Sequence, residues 1–316
     1  MKRRDFLKRS ALATGVAAGG PFHLSGHAQD QASAATTPQR DTTPDTDAWL
    51  WPTLKIGMIR EGKTLAEKFR VAKQAGFLGV ELNAPSVDID EANAAAEATG
   101  VIIDGTVGKY HWQIRHTDPD PAVRDKALGE LRAGIKNTAA VGGDTMLLVP
   151  GHGKDGTPQQ VMDRAVAAVR AALPQAEASG VTIVIENVWN HFLYDHEGDG
   201  NQTADALAAF VDRFDSPFVG VQYDIGNHWK YGNPGDWIRT LDHRITKLDI
   251  KGFSRAADKF TPITEGDLPW GDVETALREI GFRGWLAAEV SGGDAAALRK
   301  VRLQMESALH CNEPVA

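Results

Sequence analysis

Cysteine is nearly missing from this sequence: Cys311 is the one cysteine in 316 residues. No disulfide framework can hold the fold, and a chain of this length buries enough apolar surface not to need one. Long apolar runs are missing as well. The stretch at 11–18 is too short and too rich in Gly and Ala to span a bilayer, so the mature protein is expected to carry no membrane segment. Positive charge is not in excess: the formal net charge is −8, which argues against nucleic acid and anionic membranes as partners. No glycine-rich phosphate cradle follows the first apolar strand, since Gly57-Met58-Ile59-Arg60-Glu61-Gly62 does not fit that pattern. An open dinucleotide-binding sheet is disfavoured on that ground. Hairpin signals between the apolar strands are lacking too, which points to parallel pairing.

What is present begins at the amino end. Arg3-Arg4-Asp5-Phe6-Leu7-Lys8, then the mild apolar run, then Gly26-His27-Ala28 read as a twin-arginine export signal with its small-residue cleavage site. This predicts the export machinery as a partner and a periplasmic or otherwise exported destination. That route carries folded proteins, which suits a protein that takes up its cofactor before leaving the cytoplasm. Residues 29–50, rich in Gln, Ser, Thr, Ala, Pro and Asp, are expected to form a disordered linker. Residues 51–312 remain, the size of one α/β barrel.

Within that stretch, apolar strands alternate with helical segments. Strands are predicted at 54–58, 78–83, 101–106, 145–150, 182–187, 218–224, 245–251 and 285–290. Amphipathic helices are predicted at 64–75, 121–141 and 158–179, with Gly76, Gly100, Gly142, Gly180 and Gly281 at helix ends. Eight such units make an α/β fold, a (β/α)8 TIM barrel. Active sites of that fold sit where the strands end, so the closing polar residues are the informative ones.

Four consecutive strand ends bring in acid. With Ile183 and Ile185 facing the helices, Glu186 faces the barrel axis, and the same alternation turns Asp224, Asp249 and Glu289 inward. Four converging carboxylates cannot all stay ionised unless a cation joins them. An all-oxygen set favours one hard divalent ion, Mn2+, Mg2+ or a similar one, over Zn2+.

Ile185-Glu186-Asn187, Tyr223-Asp224-Ile225-Gly226-Asn227 and Ala288-Glu289-Val290 resemble the sugar-phosphate isomerase/epimerase superfamily, whose barrel is shared with xylose isomerase and endonuclease IV. The resemblance extends through Pro119-Asp120-Pro121-Ala122-Val123-Arg124 and through residues 265–273. It implies that Glu186 and Glu289 ligate one divalent metal, Mn2+ first with Mg2+ or Co2+ as alternatives, and also act as acid and base, with Asp224 a third ligand. Strand seven departs from the family pattern His-x-Lys-Asp and reads Asp249-Ile250-Lys251-Gly252. Asp249 falls where the ligand His would stand and is assigned as the fourth ligand.

Lys251 is expected to stabilise an enolate oxygen beside this shell. Lys247, two residues deeper, is expected to neutralise a barrel acid such as Glu81. His111 and Trp112 after strand three, His152 after strand four, Asn187 and His228 are the candidate sugar contacts. Asp195, Glu197, Asp199 and Gly200 resemble the start of a calcium loop, but Ala206 stands where its closing Glu should be, so a solvated loop is expected. The constellation predicts proton abstraction next to a carbonyl, giving an isomerase or epimerase of an unphosphorylated sugar. A lyase expelling the aglycone of a 3-keto-glycoside uses the same parts. A non-catalytic sugar-binding barrel would have no need of both Glu186 and Glu289. A homo-oligomer is left open.

Overall fold

The structure, a computed structural model, describes residues 42–314. The export signal and residues 29–41 of the expected linker lie outside the described residues. The barrel strands are β1 (Leu50–Leu54), β2 (Gly79–Ala84), β3 (Ile102–Gly108), β4 (Thr145–Leu148), β5 (Thr182–Glu186), β6 (Val219–Asp224), β7 (Ile245–Ile250) and β10 (Gly284–Ala288). They form one parallel sheet in the order β1-β10-β7-β6-β5-β4-β3-β2. Between its two ends a bridge from Lys55 to Glu81 and a Leu78 N–H bond to the Pro52 carbonyl close the seam. Helices α1 (Leu65–Ala75), α2 (Ile89–Thr99), α3 (Pro121–Ala140), α4 (Pro158–Ser179), α5 (Asp205–Asp212), α6 (Pro234–Leu241), α7 (Trp270–Glu279) and α8 (Ala295–Leu309) fill the connections. Among the described residues no helix is long and apolar enough to cross a membrane.

Local chemistry sets these elements. Thr64 caps α1 in a reciprocal box with Glu67, and Thr157 caps α4 in the same way with Gln160. Gly76 ends α1 at φ 93° and Gly180 ends α4 at φ 67°, backbone that a side chain would strain. The two-residue period then sorts each strand. Ile183, Ile185, Val221, Tyr223, Leu248 and Ile250 pack into the core shared with the helices. Val184 instead joins Leu147, Val149 and Val188 in a separate inner cluster.

Three expectations need correction. The first strand is Leu50–Leu54, not 54–58, and Ile56–Met58 is a short 3-10 turn. Pro52 is tolerated in this strand although proline cannot donate to a ladder. Its position is at the seam, where β2 offers no ladder to donate to. The linker is not disordered throughout: Thr42 is buried and donates to Asp144, and Trp49 N–H bonds the Glu313 carbonyl. Finally, a hairpin does exist after β7, from β8 (Gly252–Ser254) to β9 (Lys259–Thr261).

The barrel axis is polar below the strand ends. A register shift opposite Val80 and Glu81 leaves Asp104 as an extra residue in β3, and a second shift does the same for Thr246 in β7. Asp104 thereby meets Lys247, whose ammonium also pairs with Glu81 at 2.6 Å, all three fully buried. The expected pairing of Lys247 with Glu81 is present. Thr53 donates to Asp104 at 2.7 Å, and Gln222 spans Glu81 and Asp249.

Breaking a buried pair by removing one partner costs about 3–5 kcal/mol, because the other charge stays behind. Lys247→Met is expected to lose that much unfolding free energy in urea titrations; a loss under about 1 kcal/mol would contradict a charged column.

Candidate metal centre and active site

Glu186 closes β5, Asp224 closes β6, Asp249 sits one residue inside the end of β7, and Glu289 follows β10. One carboxylate oxygen from each lies within 4.8 Å of those from the others. The structure thus brings together all four acids read from the strand ends.

Each is held differently. Asp224 Oδ1 accepts the backbone N–H groups of Gly226 and Asn227, both at 2.9 Å, and its Oδ2 pairs with Lys251 Nζ at 2.8 Å. Asp249 Oδ1 accepts from Gln222 at 2.9 Å, and its Oδ2 accepts from Lys55 Nζ at 3.0 Å. Glu186 Oε1 accepts from Asn227 Nδ2 at 3.3 Å. Glu289 Oε2 takes Lys251 Nζ at 2.6 Å, and this side chain is the accessible one, 37% exposed.

Electrostatics follow from the crowding. Burial raises the Glu186 carboxyl well above its ordinary range, and repulsion from Glu289 and Asp249 adds to it. Burial likewise pushes Asp249 up to about 7 and Asp224 up to about 6. Glu289 goes the other way: burial opposes its charge, but Lys251 and Lys55 outweigh it and hold the carboxyl below the usual range. Burial opposes the charge of both lysines, yet the surrounding carboxylates keep both ammoniums firmly protonated. The residues present fit a hard divalent cation. Four oxygen donors converge, three of them raised in pKa by burial first and mutual repulsion second, and two ammoniums leave part of the negative charge uncompensated.

The candidate sugar contacts divide. Trp112 is half exposed, and His111 sits edge-on to it at 5.5 Å. His111 itself is buried, accepts the Val149 N–H at Nδ1, and is driven down to about 3 by burial, so it stays neutral. His152 caps a short turn, its Nδ1 accepting the Lys154 N–H. Asn187 is not free for a sugar: its amide accepts the Asp224 N–H at 2.8 Å and donates to the Asp224 carbonyl at 2.9 Å. It ties β5 to β6 and fixes Asp224. His228 is buried behind the site against Trp237 at 4.7 Å, its Nε2 3.3 Å from the Val188 carbonyl, and burial lowers it to about 3. It is a core histidine; its place in the turn after β6 carried no sign of that burial in the sequence.

Sequence reasoning missed three residues. Lys55 pairs with both Glu81, at 2.5 Å, and Asp249. Misplacing the first strand put it inside a strand; with β1 ending at Leu54, it stands at the functional end. Asn227, in the quoted motif, orients Glu186, and Gln222 orients Asp249 by the alternation that points Asp224 inward.

Comparison with known proteins agrees with this architecture. The model of the xylose isomerase-like TIM barrel family matches residues 69–307. A Drosophila melanogaster protein assigned provisionally as a hydroxypyruvate isomerase is 23% identical over 72% of this chain and 85% of its own length. A 3-keto-D-glucoside 4-epimerase from E. coli superposes with a TM-score of 0.68 at 16% identity, over 82% of this chain and 99% of the other. An L-ribulose 3-epimerase gives 0.65 at 19% identity, over 82% and 94%.

Outer residues that orient ligands typically contribute about 10- to 100-fold to metal affinity. Asn187→Ala is expected to weaken divalent-metal binding by that factor in calorimetry, with KM for the sugar unchanged at saturating metal. A raised KM with unchanged metal affinity would make Asn187 a sugar contact after all.

Proposed function

The chain belongs to the xylose isomerase-like TIM barrel family, and on that footing we propose that it is an isomerase or epimerase of an unphosphorylated sugar, working through one divalent metal, Mn2+ first among candidates. The observation that carries the reading is the convergence of Glu186, Asp224, Asp249 and Glu289 within 4.8 Å at the strand ends. The likeness to sugar epimerases and to a provisionally assigned hydroxypyruvate isomerase supports the reaction class.

Glu186, Asp224, Asp249 and Glu289 would hold the ion, which when bound polarises a carbonyl and its neighbouring hydroxyl. Proton transfer falls to the protein. Glu289, exposed at the mouth and kept ionised by Lys251 and Lys55, takes the proton from the carbon beside the carbonyl. Glu186 comes from β5, separated from β10 by β7 and β6, and so approaches the sugar from another side. Returning a proton from there to the same carbon inverts it; reprotonation at oxygen gives the aldose–ketose isomer. Lys251 Nζ, between Asp224 and Glu289, donates to oxygen as charge develops there.

A second reading has one observation in its favour: the 3-keto-D-glucoside 4-epimerase matches with a TM-score of 0.68. The same proton abstraction next to a 3-keto group, followed by loss of the C1 substituent, makes a lyase. We also propose an exported destination, from the twin-arginine motif at Arg3-Arg4. Cleavage after Ala28 would leave Gln29 first in the secreted form, which N-terminal sequencing reads directly; an uncleaved cytoplasmic chain would overturn it.

Incubation with free ketoses and 3-keto-glycosides in D2O is expected to show solvent deuterium entering the carbon next to the carbonyl. Epimers or isomers point to the first reading and released aglycone to the second. Glu289→Gln is expected to abolish the exchange while sugar binding persists, because an amide cannot accept the proton. Exchange within about twofold of wild type would reduce Glu289 to a ligand at most.

A further inference from the structure

The loop between β5 and α5 holds a second cluster that the carboxylate centre does not use. Within it, a ring nitrogen of His191, a ring nitrogen of His196 and a carboxylate oxygen of Glu197 lie within 4.8 Å of one another. The chain turns back at His191 (φ 57°) and Leu193 (φ 68°), which lays the His191 ring over that of His196 with centroids 3.9 Å apart. His196 Nδ1 is engaged by the hydroxyls of Tyr194 at 2.7 Å and Tyr231 at 3.1 Å. Nε2 is therefore the nitrogen left to meet an ion, with the other ring nitrogen fixed as metal-bound histidines usually have it. The His152 ring lies tilted to that of His191 with centroids 4.9 Å apart, but it does not join the three converging donor atoms, which makes it a neighbour and not a ligand.

We propose that His191, His196 and Glu197 bind a borderline transition-metal ion, Zn2+ or Cu2+, at a site separate from the four-carboxylate centre. Two imidazoles and one carboxylate suit those ions, whereas the all-oxygen centre suits Mn2+ or Mg2+, so the donors sort two metals into two places. Of the acids that resembled a calcium loop, Asp195 and Asp199 take no part; Glu197 alone joins the cluster. Asp195 Oδ1 accepts the Glu197 N–H at 3.0 Å and Asp199 Oδ1 accepts the Asn201 N–H at 3.0 Å, so both side chains fold back on their own loop. An ion here pins the segment that follows Trp189, whose indole N–H bonds the Asn227 carbonyl. Asn227 in turn holds Glu186, so the site supports one wall of the active site.

The test uses the full-length protein with 15N-labelled histidine rings, followed by NMR as Zn2+ is added up to two equivalents. The His191 and His196 resonances are assigned by their loss in His191→Gln and His196→Gln. Both are expected to shift as Zn2+ binds, and Glu197→Gln, at an exposed position, should weaken that binding about tenfold or more while Mn2+ affinity at the carboxylate centre stays unchanged. Unmoved His191 and His196 resonances at two equivalents overturn the site. Shifts with unaltered affinity in Glu197→Gln overturn the three-ligand assignment. Neither result bears on the carboxylate centre, whose own readout is Mn2+ binding and deuterium exchange.

Discussion

Negative charge confined along one axis is the constraint on which the rest of this barrel depends. Glu81, Asp104, Glu186, Asp224, Asp249 and Glu289 share the interior with three ammoniums, Lys55, Lys247 and Lys251. Two like charges 4 Å apart repel by about 4 kcal/mol at the effective dielectric of a protein. Each acid therefore needs a compensating partner. Low in the barrel the partner is Lys247, placed by one bulge to meet Asp104, itself placed by another. At the strand ends Lys55 and Lys251 supply part of the compensation, and the remainder calls for a cation.

That gradient divides the barrel into a lower part that supports the fold and an upper part that does chemistry. Lys247, Glu81 and Asp104 are sealed from water and satisfy one another, so removing a member exposes a bare charge. Glu289 and Lys251 stand at the mouth, where the proposed substrate would reach them. Lys55 belongs to both parts, since it bridges Glu81 below and Asp249 above. It also explains how aspartate can stand where relatives are expected to carry a neutral histidine: the ammonium and the Gln222 amide each take one oxygen of Asp249.

The eight-strand barrel and the four acids were legible because both follow from periodicity. A two-residue repeat of Val, Ile and Leu fixes which positions face the helices, and the acid ending each strand then faces the axis. Lys55 was hidden because a first strand at 54–58 puts it inside the strand and not past its functional end. Asp104 was hidden by a bulge, which breaks the alternation from which facing is read. His111, Asn187 and His228 were visible as polar residues in the right loops, but burial and spent hydrogen bonds belong to tertiary packing. No spacing in the sequence separates a buried, neutral histidine from one that meets a sugar.

The central claim is that one divalent ion completes the charge balance at the strand ends. A crystal structure of the protein soaked with Mn2+, read by anomalous scattering, tests it most directly. The account predicts one strong peak with oxygens of Glu186, Asp224, Asp249 and Glu289 at roughly 2.0–2.6 Å. A peak bound elsewhere, or these carboxylates more than about 4 Å from any ion with Lys55 and Lys251 still in their pairs, would contradict it.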